Sequence, residues 1–161
     1  MKVFCYFIEP ASYTLDLATK VYNKNNIDHT YLYSYSLAQA ETTFSKGSLD
    51  KLSWISRFRF VIKTFRYNDF IIVNGYNNFP FILTFILNVV SFKRKYIAVE
   101  SDTQLSVPKN LLKRLLKWGY LSIIFRNKYV LGFAGGNFTH KKLFSYYGME
   151  KDRIFLMPMM V

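Results

Sequence analysis

Two carboxylates stand two residues apart in the polar turn Glu100-Ser101-Asp102-Thr103, directly after the apolar run Tyr96 to Val99. Side chains at i and i+2 of an extended chain point to one side, so proximity would raise one pKa and favour proton exchange with a bound hydroxyl. Asn74-Gly75-Tyr76-Asn77 follows another apolar run and offers amide and phenol groups that bind hydroxyls, with a glycine that lets a ligand approach the backbone. Glu9, Ser12 and Tyr13 stand where a third such run meets a helix start. Gly135, Gly136 and Asn137 precede a further helix start, where free N–H groups can receive a phosphate. Each turn also has a plainer account: Asp102 or Thr103 caps the turn towards Pro108, Gly75 is an ordinary strand-to-helix turn, Ser12 is a helix cap, and Gly-Gly pairs are common before helices.

The remaining reactive side chains exclude more than they suggest. The single cysteine, Cys5, lies in an apolar run, so it can form neither an intrachain disulfide nor a cysteine metal cluster and reads as a buried structural thiol. His29 opens a strand and His140 lies inside a helix beside Lys141 and Lys142; both read as surface histidines with no shared metal. No metal and no cofactor are expected.

The elements that must position these turns are legible from periodicity. Strands are predicted at Val3 to Ile8, His29 to Tyr33, Phe70 to Asn74, Tyr96 to Val99, Tyr129 to Phe133 and Ile154 to Met157. Helices are predicted at about Ser12 to Asn25, Leu49 to Arg66, Asn78 to Phe92, Lys109 to Arg126 and Phe138 to Tyr147. Strands alternating with helices make an α/β fold, a Rossmann-like, mostly parallel sheet of about six or seven strands with helices on both faces. At 161 residues the chain is one domain, 1–161. The turns singled out above all follow strands, the edge at which open parallel sheets bind ligands.

Charge adds a constraint: 22 Lys and Arg against 10 Asp and Glu give +12, an attraction for polyanions. Lys109, Lys113, Arg114 and Lys117 interleave with Leu111, Leu112, Leu115, Leu116 and Trp118 in an amphipathic helix with a cationic edge. Either the leucines face the core beneath snorkelling lysines, or the helix rests on anionic lipid. The longest apolar stretch, Phe79 to Phe92, is broken by Asn88 and is short of the roughly 20 residues of a membrane span, so it reads as a core helix. The N-terminus has no secretory signal pattern, and the expected location is the cytoplasm, free or peripheral on the inner face of the membrane.

Three stretches resemble the N-terminal domain of glycosyltransferase family 4, the GT-B architecture of two facing Rossmann-like domains. They are Asp69-Phe70-Ile71-Ile72-Val73-Asn74-Gly75-Tyr76, Tyr96-Ile97-Ala98-Val99-Glu100-Ser101-Asp102-Thr103, and Gly132-Phe133-Ala134-Gly135-Gly136 leading to Tyr147-Gly148-Met149, Arg153-Ile154 and Met157-Pro158. The resemblance implies a retaining-type, metal-independent transferase whose nucleotide-sugar is a substrate and not a cofactor. It also implies that this chain is the acceptor-binding half, inactive alone, with a C-terminal donor-binding domain as its absent partner and a saccharide or lipid-linked acceptor. Asn74, Tyr76, Glu100 and Asp102 would orient the acceptor hydroxyl. The chain departs from the family in carrying Glu9-Pro10-Ala11-Ser12 where many members have a Gly-rich loop, and Asn74 and Glu100-Ser101-Asp102 where histidines are frequent. The rival readings are a stand-alone flavodoxin-like binding domain and a basic nucleic-acid-binding module; no DNA or RNA motif supports the latter, and nucleic acid is not the expected partner.

Overall fold

The computed structural model describes residues 1–35, 47–136 and 138–157. Six strands, β1 (Val3–Phe7), β2 (Asp28–Tyr31), β3 (Phe70–Asn74), β4 (Tyr96–Ser101), β5 (Val130–Gly135) and β6 (Ile154–Met157), form one sheet in the order β2-β1-β3-β4-β5-β6, with every neighbouring pair parallel. The helices are α1 (Ser12–Leu17), which continues into a π-helical stretch (Ala18–Tyr22), α2 (Trp54–Tyr67), α3 (Phe79–Val90), α4 (Leu111–Phe125) and α5 (Phe138–Tyr146). The expected α/β fold is therefore present, with a sheet that is parallel throughout.

Parallel neighbours require crossovers, and crossovers are right-handed, so α1, which steps back to β2, covers one face while α2 to α5, which step the other way, cover the opposite one. Side-chain alternation divides the core to match. Phe4, Tyr6, Ile71, Val73, Ile97 and Val99 pack against α2 to α5. Cys5, Phe7, Ile72 and Ala98 pack with Ala18 and Tyr22 on the α1 side. Because β1 is covered on both faces, Phe4, Cys5, Tyr6 and Phe7 are all buried, which explains its unbroken apolar run.

The helix ends have identifiable causes. Asn78 Oδ1 accepts from the Phe81 N–H at 3.0 Å with Pro80 in the first turn, and Ser53 and Asn110 cap α2 and α4 in the same way. Gly148, at φ +95°, ends α5 in the left-handed conformation, with the Met149 N–H returning to the Phe144 carbonyl. Asn88 is not a loose break in α3: it is buried, donates to the Lys95 carbonyl at 2.9 Å and accepts from the Lys95 N–H at 2.8 Å, tying α3 to the approach to β4. The Lys95 ammonium in turn donates to the carbonyls of Phe65, Arg66 and Asn68 at the C-terminal end of α2.

Three expectations need correction. Ser12 does not cap α1; Ala11 holds the cap position, and the Thr14 hydroxyl reaches back to the Glu9 and Ala11 carbonyls at 2.8 Å each. His29 is no isolated surface group, since its ring meets those of Phe7, Tyr22 and Tyr31. The leucines of α4 do not face the core: Leu111, Leu112, Leu115 and Leu116 are all exposed, because the helix joins the core only from Leu121 onward.

Candidate functional site

The crossovers leave in opposite directions from β1 and β3, and the crevice of an open sheet forms at that switch, beyond the carboxyl ends of the strands. Two clefts meet there, sharing Ile8. The smaller, about 80 Å³, is lined by Ile8, Tyr13, Asn74, Gly75, Glu100, Ser101 and Asp102. The larger, about 490 Å³, is walled by Tyr33, Trp54 and Phe79, with Asp50, Arg57 and Asn77 as polar groups. The smaller has room for a hydroxyl group and a few waters, and the larger has room for a ring.

Glu100 is the chemical centre of the small cleft. It sits on β4 opposite Asn74 of β3, and its carboxyl is pushed up to about 7, first by burial and second by the charge of Asp102. With its amide nitrogen turned towards them, Asn74 donates to Glu100 Oε2 at 3.0 Å and to the Tyr6 carbonyl at 3.3 Å. A carboxyl that titrates near neutrality can take or give a proton under ordinary conditions. The Tyr13 phenol is held above its usual range by burial and then by the charges of Asp102, Glu100 and Glu9, so it remains a hydrogen-bond donor.

No family model, curated protein or solved structure matches the chain.

Of the turn residues expected to act together, the small cleft gathers Tyr13, Asn74, Gly75, Glu100, Ser101 and Asp102. Glu100 and Ser101 are not on a loop, however: β4 is two residues longer than expected, with Glu100 paired to Phe133 and Ser101 to Ala134. Burial, more than the proximity of the two acids, separates Glu100 from exposed Asp102. Gly75 continues the ladder through its N–H to the Glu100 carbonyl at 2.7 Å and then turns with φ +81°, a conformation that favours glycine.

Other expected residues lie elsewhere. The Tyr76 ring packs against the core, edge-on to Phe125, and its carbonyl accepts from the Tyr120 hydroxyl, so the phenol does not line the small cleft. Asn77 belongs to the larger cleft. Thr103 is exposed and its N–H donates to Ser101 Oγ at 3.2 Å. Glu9 lines neither cleft, its carbonyl serving Thr14, and Ser12 is exposed on the first turn of α1. Gly135 approaches Asp102, and Gly136, at φ +95°, lies under the His140 ring, where a Cβ would meet the imidazole at 2.6 Å. Asn137 lies outside the described residues. Lys109, Lys113 and Arg114 are exposed, and Lys117 donates to the Ser106 carbonyl at 2.7 Å.

Among the described residues no group of three or more His, Cys, Asp or Glu is placed to hold a metal ion. Cys5 is free and buried, its thiol pushed far up, mainly by burial. Sequence reasoning missed the larger cleft. Its signal was Trp54, an aromatic at a helix start after Ser53, which the continuous helix expected from Leu49 concealed; the chain instead makes a single 3-10 turn at Leu49–Lys51 before α2 begins.

Proposed function

We propose that this chain is the acceptor-binding half of a glycosyltransferase, holding a hydroxyl-bearing saccharide or lipid-linked acceptor for sugar transfer from a nucleotide-sugar bound by a second domain. The observation that carries the reading is Glu100, a carboxyl pushed up to about 7 that lines the small cleft beside Asn74 and Asp102. In this reading the acceptor hydroxyl enters the small cleft, donates to the Glu100 carboxylate and accepts from the Tyr13 phenol. Its ring lies in the larger cleft, with its apolar face on Trp54, which is 63 % exposed, and its other hydroxyls towards Asp50 and Asn77. The carboxylates Glu100 and Asp102 favour a neutral hydroxyl over a phosphate at that point. The strand order also suits a flavodoxin-like binding domain, the second reading, which needs no proton acceptor at Glu100.

The direct test is NMR titration of the chain with a panel of neutral mono- and disaccharides. Binding should shift Gly75, Asn74 and the Trp54 indole N–H together and weaken about tenfold in Trp54→Ala, the scale of a lost aromatic contact. Sequence-independent micromolar binding of oligonucleotides, with no saccharide shifting these groups, would overturn the proposal. In a full-length enzyme Glu100→Gln should lower kcat by about 10²- to 10⁴-fold, as for loss of a general base.

A further inference from the structure

The outer surface of α2, α3 and α4 combines exposed apolar side chains with charge of one sign. On α4, Leu112, Leu116 and Ile123 are 66 %, 65 % and 70 % exposed and lie on one stripe, facing away from buried Leu121 and Phe125. Gly119 completes that stripe and has open space where a Cβ would stand. On α3 the exposed stripe is Ile82, Ile86 and Val90, opposite buried Phe81, Thr84 and Asn88. On α2, Ile55 is likewise exposed, on the same side of the helix as Arg59 and Arg66. The three helices pack on the same face of the sheet, so these stripes share one side of the molecule.

The charges are as one-sided as the apolar groups. α2 carries Arg57, Arg59, Lys63 and Arg66, α4 carries Lys113, Arg114 and Lys117, α3 carries no charge, and none of the three has an aspartate or glutamate. No helix of the described chain is long and apolar enough to cross a membrane. A surface of aliphatic stripes and cations without a spanning helix has the composition of an element lying in the headgroup layer.

We infer that the outer face of α2, α3 and α4, centred on the free first turns of α4, docks on a bilayer containing anionic lipid. Charge complementarity selects this occupant: headgroups neutralise the arginines and lysines while the acyl boundary covers Leu112, Leu116 and Ile86. A nucleic acid would answer the cations and leave the aliphatic stripes in water. The inference does not depend on the cleft holding a saccharide.

Neither tryptophan reports on this face, since Trp54 walls the larger cleft and Trp118 stands seven residues before buried Phe125 on the core side of α4, so binding is read by flotation. Flotation would be measured with phosphatidylcholine vesicles, with and without about 30 % phosphatidylglycerol. The expected result is binding to the anionic vesicles, weakened when salt is raised from about 0.1 M to about 0.5 M. Lys113→Gln with Arg114→Gln should weaken binding roughly 25-fold, at about fivefold per cation near an anionic surface. Leu112→Glu with Leu116→Glu should abolish it, and because both residues are exposed the far-UV circular dichroism should be unchanged. No flotation with anionic vesicles, flotation indifferent to these substitutions, or oligonucleotide binding or self-association lost in the same variants in place of flotation would each overturn the inference. Saccharide shifts at the cleft are a separate readout, so failure of either proposal is recognisable without the other.

Discussion

The two halves of α4 carry the same kind of side chain in opposite situations. Leu111, Leu112, Leu115 and Leu116 stand in solvent, whereas Leu121, Ile124 and Phe125, one to three turns later, are buried against β4, β5 and α5. Composition and periodicity treat the halves alike; what differs is whether a sheet lies beneath. Equivalent pairs recur in the molecule, Glu100 with Asp102 and Lys95 with Lys93, one member covered or engaged and the other in water. In each pair the chemistry of the side chain is set by its surroundings.

The largest expected effect tests the covered half. Phe125→Ala should lower stability in urea by about 3–5 kcal/mol, the range for truncating a buried aromatic, because its ring meets Phe144, Tyr76 and Tyr147. The carboxylate pair is tested by pH. Since the folded pKa of Glu100 is raised, its contribution to stability is fully present below about 4.5 and is lost as pH rises through about 7, a fall of up to about 3 kcal/mol. Glu100→Gln should remove that fall, whereas Asp102→Asn should only reduce it, because burial is the first cause of the shift. A pH profile unchanged in Glu100→Gln would break the assignment.

The lysine pair should separate by less. Lys95→Met removes the ammonium that closes the C-terminal end of α2 and should cost about 1–2 kcal/mol in thermal or urea unfolding, while Lys93→Met should cost almost nothing. The smallest effect is on the free half of α4: Leu116→Ala should change stability by no more than about 0.5 kcal/mol. A loss as large as that of Phe125→Ala would mean the first turns of α4 are covered after all and would erase the contrast between its halves.

Much of this was readable from the chain, for physical reasons. The unbroken apolar runs at Phe4 to Phe7 and Phe70 to Val73 signal strands covered on both faces, and the Asn78-Phe79-Pro80 start and the Gly148 stop mark helix ends that depend on local backbone chemistry. The cleft was legible in part, because Asn74 and Glu100 follow strand-length apolar runs and parallel strands bring such ends to one rim. Tyr76 could not be placed in this way: whether its ring turns to the cleft or to Phe125 depends on α4, which lies far along the chain. The same holds for His140 over Gly136 and for Trp54 beside Phe79, contacts between segments that sequence spacing does not relate.

The sequence by itself determined the order of strands and helices, the Asn78 start of α3 and the Gly148 stop of α5, the excess of positive charge and the pairing of two acids near one strand end, because these follow from local periodicity, backbone conformation and counting. Tertiary structure alone decided which acid is buried and titrates near neutrality, which leucines meet the core and which meet water, and that the cations of α2 and α4 share a side. Those outcomes depend on what lies across the sheet or beneath a helix, and burial is a property of the assembled layers.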